Sequence, residues 1–477
     1  MPLVFVVFLI LPILHNSPYS AFFTIDPDAV YLSNIVLFAK TGTINYIDHP
    51  GTPAIMIQGA LFLPIAFYTK FLLHQSFLNY FLSNVSFFAI TSRIISSLFV
   101  SAGIAILLFS IYKFTKVIYP VAFVFVALLS FEPLYYAGVS ISAEYFNVFI
   151  ASVWVLFFTI FLNKRDLLSY FFLLLVSGIA VANRLTALLL PFGTLMLITT
   201  MDLSWYKKIK LSAVSIILLI ISFAFGISPI LSKSDRLVNW FILLAGSKDI
   251  HGGGSEIFIS IEQYYASISN LLTSEAYRGL IVVCLGGIVV CVLLKFFNKF
   301  IERELILILF FAILFILAFS KYPLAHYQQT NFIIVASVVS LLFSKVKSHI
   351  VLFFIILLIP QIYTAANRYE STVISMIMNT KNFETYAANN RDGNPEIWDW
   401  SRSKEFALIW IRDYGSIYTQ DFRKSYPYIY SVGENVDWDK AYIQKDSLLY
   451  LKQKYVLEEH ESSKIPGVDT HYLITKP

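Results

Sequence analysis

Charge is scarce in this chain: Asp, Glu, Lys and Arg make up 14% of its 477 residues, against 57% apolar residues and a mean hydropathy of +0.70. A soluble globular domain carries about 25% charged and about 45–50% apolar residues, so a soluble reading is excluded. Cysteine is scarcer still. Cys284 and Cys291 stand in one apolar run, about 10 Å apart along a helix and out of disulfide reach. There is no CxxC pair and no Cys/His cluster, so no metal centre is legible and none is expected. The net charge of +5 sits beside a strongly apolar body, which reads as membrane orientation and gives no nucleic acid partner. The run from Leu3 to Leu14 lacks a basic n-region and an A-x-A site, and is read as part of a first transmembrane helix.

Long apolar runs are abundant. Stretches near the roughly 20 residues needed to cross a bilayer fall at about 2–20, 94–112, 117–137, 144–162, 167–183, 185–201, 211–230, 279–297, 304–320, 328–344 and 349–366, predicting about eleven spans. The short loops holding Lys113/Lys116, Lys164/Arg165, Lys207/Lys208/Lys210, Lys295/Lys299/Arg303 and Lys345/Lys347 all fall on one side of that count. By the positive-inside rule this side is cytoplasmic. The amino terminus is then inside, and segments 21–93 and 231–278 and everything beyond Asn367 are outside. Within 21–93, Pro53 to Phe67 and Phe77 to Ile90 are apolar but broken, and read as helices lying along the interface; a pair of true spans there would leave the orientation unchanged.

Composition changes after residue 366. Residues 367–477 hold 14 of the 35 Lys+Arg and 16 of the 30 Asp+Glu, so the chain divides into a membrane domain, 1–366, and a polar extracytoplasmic domain, 367–477. A helical pattern near Ser403 to Tyr414 and alternating runs near Tyr426 to Ser431 and His471 to Thr475 make the latter a small α/β domain.

Polar groups at a membrane edge mark function more often than fold, and they gather here at the outer edge. Asp26-Pro27-Asp28 follows the first helix, and Asp48-His49-Pro50-Gly51 comes after it. Glu132 follows the third span, Glu144 opens the fourth, and Arg184 lies between the fifth and sixth. Lys321 to Tyr327, with His326, ends the ninth. Acids on early loops and cations on later ones suit transfer from a lipid phosphate: a carboxylate removes the acceptor's proton, while Lys, His and Arg stabilise the departing phosphate.

These residues resemble the GT-C glycosyltransferases, the multi-span enzymes that take sugars from polyprenyl-phosphate carriers, such as the protein O-mannosyltransferases and aminoarabinose transferases. Asp26-Pro27-Asp28 is similar to the modified DxD motif of their first outer loop. Glu144 occupies the place of a second acid, and Lys321 to Tyr327 resembles the Lys…His-Tyr element that contacts the lipid phosphate. The resemblance covers about residues 1–345 and departs from these branches in having Pro27 between the acids. It implies an all-α polytopic GT-C membrane fold with interfacial helices in the first outer loop, in a bacterial plasma membrane. It also implies an inverting enzyme that transfers a sugar from a polyprenyl-phosphate donor to a lipid, glycan or protein acceptor, without a cofactor or bound metal. Asp28 is the expected base, or Asp26 if Asp28 proves to be a capping group. Lys321, His326, Tyr327 and Arg184 are expected on the donor phosphate, and Asp48 and His49 near donor or acceptor.

Each residue also has a structural reading. Asp26 can cap a helix beginning at Pro27, and Glu144 can match its helix dipole. His49 to Pro53 can be a turn, Arg184 and Lys321 can snorkel to head groups, and His251 to Ser255 can be a loop or a lid. A transporter or flippase is the main alternative, but it would place its polar groups near the bilayer midplane on broken helices. A scaffold whose tail binds a partner is a third.

Overall fold

The computed structural model describes residues 28–46, 51–235, 237–239, 261–319, 325–389, 396–398, 429–431, 440–444, 458–462 and 471–475. The first expected helix, Asp26, Asp48, His49, the His251–Ser255 loop, Lys321 and the expected helix at 403–414 lie outside them.

The apolar runs fold into helices: α1 (Val30–Thr41), α2 (Thr52–Phe71), α3 (Phe77–Ser83), α4 (Val85–Thr115), α5 (Ile118–Leu129), α6 (Pro133–Val139), α7 (Glu144–Lys164), α8 (Leu167–Asn183), α9 (Leu189–Thr200), α10 (Trp205–Gly226), α11 (Ile261–Thr273), α12 (Arg278–Phe296), α13 (Arg303–Phe319), α14 (Gln329–Phe343) and α15 (Ser348–Asn389). Local chemistry sets several ends. The Asp166 side chain caps α8 by accepting from the Ser169 amide at 2.7 Å, and Ser76 caps α3 through Asn79 at 3.1 Å. Lys116 and Arg165 close α4 and α7 in the left-handed conformation.

Among the described residues, six helices are long and apolar enough to cross a membrane, or seven if α5 and α6 count as one bent span. The chain is an integral membrane protein. Three expected elements differ in form. The run at 117–137 bends by 76° between α5 and α6, where Pro133 takes the first position of a new helix. The run at 185–201 opens with a 3-10 turn, Leu185–Leu188, before α9. The last helix runs to Asn389, through the expected boundary at 366, because no Pro or Gly interrupts it after Pro360.

Helix α2, where an interfacial helix was expected, is also one of the six by length and composition. It packs along α1, and its side-chain hydrogen-bond and ring partners on other helices lie toward the end of the bundle opposite the basic loops: Asn183, Tyr145, Ser92, Ser96 and Phe88. Its first turn meets the start of α7, and Phe62 meets Phe88 near the start of α4, so α2 runs outward against α4.

Helix α14 is the centre of the bundle, every residue from Gln329 to Phe343 being buried, and its neighbours include α5, α7, α12 and α13. Small residues let helices approach. A Cβ on Gly103 of α4 would stand 2.8 Å from the Phe149 backbone of α7, and one on Gly178 of α8 would meet Ser222 of α10 at 2.6 Å.

The five basic loops share one end of the bundle. Tyr119 donates to Ser344 and Val346 carbonyls at 3.4 and 3.2 Å. Lys345 pairs with Glu302 at 2.5 Å, and Lys299 donates to the Lys345 carbonyl at 3.0 Å. Arg165 forks onto Glu304, which also meets the Thr200 hydroxyl. One-sided basic loops, read from spacing alone, thus have a physical counterpart.

In the tail, β1 (Glu396–Trp398), β2 (Ile429–Ser431), β3 (Lys440–Gln444), β4 (Glu458–Ser462) and β5 (His471–Thr475) form a mixed sheet in the order β2-β1-β3-β5-β4. Strands β1–β2 and β1–β3 pair in parallel, while β3–β5 and β4–β5 are antiparallel. The alternating run at His471 to Thr475 coincides with β5.

Candidate functional site

The other end of the bundle carries the acids. Asp28 is fully buried immediately before α1. Its Oδ1 accepts from the Ile141 amide at 2.8 Å, and its Oδ2 faces Arg93 Nη2 at 3.6 Å. Arg93 lies in α4 with 6% of its side chain exposed. A buried charge persists only when it is paired and hydrogen-bonded, and each supplies the other's need.

Three residues after Ile141 comes Glu144, so the two acids are tied to ends of a segment at most about 11 Å long. Glu144 opens α7 and pairs through Oε1 with Arg184 Nη1, at side-chain exposures of 11% and 12%. Its Oε2 is buried and has no hydrogen-bond partner among the described residues. Arg184 occupies an extended break between α8 and the 3-10 turn after it, which turns its side chain away from the helix ladder. Its guanidinium stands 5.0 Å from the Tyr327 ring centroid, and Tyr327 meets the His326 ring at 4.4 Å. Burial, reinforced by the Arg184 charge, pushes His326 down to about 3, so it is a neutral imidazole at pH 7.

A polar knot fixes this arrangement. Asn183 donates to the Ala143 carbonyl at 3.0 Å and to Asn147 Oδ1 at 2.7 Å, and its Oδ1 accepts from the Ala54 amide at 3.3 Å. The Gly51 amide donates to the Asn183 carbonyl at 2.9 Å. Gly51 has φ of +39°, and a Cβ there would fall 2.1 Å from the Tyr31 hydroxyl, so both conformation and space require glycine. Starts of α2 and α7 are thereby locked to the end of α8, beside Arg184.

Among the expected site residues the structure thus brings Glu144, Arg184, Tyr327 and His326 into one cluster and places Asp28 a short segment away. Among the described residues, no group of three or more His, Cys, Asp or Glu side chains converges as metal ligands would. Two contributors went unread in the sequence. Arg93 was legible as a lone cation inside an apolar run. Arg368, which meets Glu132 at 3.1 Å, was hidden by its place beyond the last expected span.

No family model matches the sequence, and no curated protein matches it. Comparison of folds gives a different result. The crystal structure of ArnT from Cupriavidus metallidurans bound to undecaprenyl phosphate superposes with a TM-score of 0.56, covering 99% of this chain and 97% of that one at 11% identity. The apo structure of the same protein gives 0.54 over the same shares. At this identity the likeness is one of fold, and on this fold the acids and Arg184 lie at the end opposite the basic loops.

Proposed function

We propose that this protein is an inverting glycosyltransferase that moves a sugar from a polyprenyl-phosphate donor to an acceptor at the outer face of a bacterial plasma membrane, the basic loops facing the cytoplasm. The observation that carries this is the Glu144–Arg184–Tyr327–His326 cluster beside Asp28, at one end of a fold shared with a protein crystallised with undecaprenyl phosphate.

The chemistry needs one base and several cations. A carboxylate takes the acceptor hydroxyl's proton as its oxygen bonds to the anomeric carbon, and the carbon–oxygen bond to phosphate breaks on the opposite face. A single displacement inverts the centre. Asp28 has one oxygen on the Ile141 amide and the other toward Arg93, which suits it to hold the site together. The base is then assigned to Asp26, two residues upstream, although Asp28 is held by Ile141 and Arg93 rather than by capping a helix. Arg184 carries charge that can be offered to the phosphate oxygens, joined by Lys321, while neutral His326 can donate one hydrogen bond. Asp48 and His49, which precede the fixed Gly51, remain assigned to donor or acceptor contacts. The polar groups sit at one edge rather than at a midplane on broken helices, which favours transfer over a flippase.

Purified protein in liposomes, given a panel of radiolabelled polyprenyl-phosphate sugars and membrane acceptors, tests the reading. Asp26→Asn should lower kcat by roughly 10²–10⁴ with donor binding intact. Transfer of label from no donor overturns the proposal, and full activity in both Asp26→Asn and Asp28→Asn overturns the motif. Movement of labelled lipid between leaflets without transfer is the flippase result.

A further inference from the structure

Helix α6 is seven residues long and sharply bent from α5, yet the segment after it supplies the amide that holds Asp28. A helix this short is marginal in isolation, so its position has to come from what grips it. On the bundle side, Ser97 donates to the Gly138 carbonyl at 2.5 Å and Gln329 to the Pro133 carbonyl at 2.8 Å. On the other side the grip comes from α15. Arg368 Nε meets Glu132 Oε2 at 3.1 Å, and Tyr136 donates to Glu132 Oε1 at 3.1 Å. The Tyr369 ring lies 5.6 Å from Tyr135 and 5.4 Å from Tyr136, and Tyr369 and Val373 pack on Val139. The Tyr136 hydroxyl also meets Thr372.

Positions 368, 369, 372 and 373 recur at the spacing of one helix face. That face therefore grips α6 at its start, middle and end, two residues before Ile141. Tyr369 also lies near Arg93, so one residue of α15 stands beside both holders of Asp28: the α6 segment and the Arg93 guanidinium.

We infer that Arg368 and Tyr369 are positioning residues for the acidic site, through which the helix leading into the C-terminal tail sets the placement of Asp28 against Glu144. The catalytic part of this inference rests on the proposed transferase reading; the structural part does not. Loosening the grip displaces the Ile141 amide, and displacements of about 1 Å at a reacting centre cost up to 10²-fold in rate.

Hydrogen exchange on the full-length protein in detergent tests the structural part without any assay of activity. In Arg368→Ala and Tyr369→Ala, exchange in segments 136–143 and 28–34 should accelerate about tenfold or more, while segment 110–117 at the basic end stays unchanged. Glu132→Gln, which keeps shape and removes the charge, serves where an alanine variant fails to fold, and should give the same pattern more weakly. In the transfer assay Arg368→Ala should lower kcat by about tenfold to hundredfold with donor KM near wild type, and Arg368→Lys should recover part of it. Unchanged exchange at 136–143 in all three variants overturns the inference, as does faster exchange at both ends alike. Faster exchange confined to these segments, in a protein whose wild type transfers no sugar, upholds the grip and overturns only the transferase reading.

Discussion

Arg184→Ala should destabilise the protein more than losing Arg184 and Glu144 together. Glu144 is 8% exposed; its Oε1 is paired with Arg184, and its Oε2 has no partner among the described residues. Truncating the arginine therefore leaves a buried carboxylate with neither oxygen satisfied. Breaking such a pair from one side costs about 3–5 kcal/mol, and the guanidinium over Tyr327 adds about 1 kcal/mol. In Glu144→Ala/Arg184→Ala no charge is stranded, and the loss reduces to packing and the ring contact, about 1–2 kcal/mol. The single variant should thus unfold at the lower temperature, by the equivalent of about 2–5 kcal/mol. Thermal unfolding of both variants in detergent measures this. A single variant as stable as the double would refute the reasoning.

Two further outcomes follow from the geometry. His326 has a folded-state pKa of about 3 against an ordinary 6.5, so between those values the unfolded chain binds more protons and stability falls on acidification; His326→Gln should lose less thermal stability than wild type between pH 7 and pH 4, and an equal loss counts against the buried neutral imidazole. If the basic end is cytoplasmic, cysteines placed at Ser255 and Ser462 should react with an impermeant reagent in intact cells, and protection of both would reverse the orientation.

The bundle was legible because apolar runs and one-sided basic loops are properties of local sequence. Helix α8 spans the expected 167–183 because Asp166 caps one end and Arg184 turns extended at the other. Long-range choices were not legible. Nothing in the neighbourhood of Asp28 announces that its partners are Arg93 and the amide of Ile141, 113 residues away. Arg184 reads equally well as a snorkelling cation or as the partner of Glu144, because the decision belongs to the extended break at residue 184. The bend at Pro133 was visible as a residue but not as a 76° turn. The sequence boundary at 366 follows composition, whereas the helix continues until its backbone meets a reason to stop.

Helix α15 is 42 residues in one piece, about 63 Å at 1.5 Å per residue, roughly twice the thickness of a bilayer's hydrocarbon core. One residue inserted between Val373 and Asn389 would shift the end of the helix by about 1.5 Å and rotate it by about 100°, whereas a whole turn of three or four residues would nearly restore its bearing. The end of α15 is therefore placed by a length counted in turns.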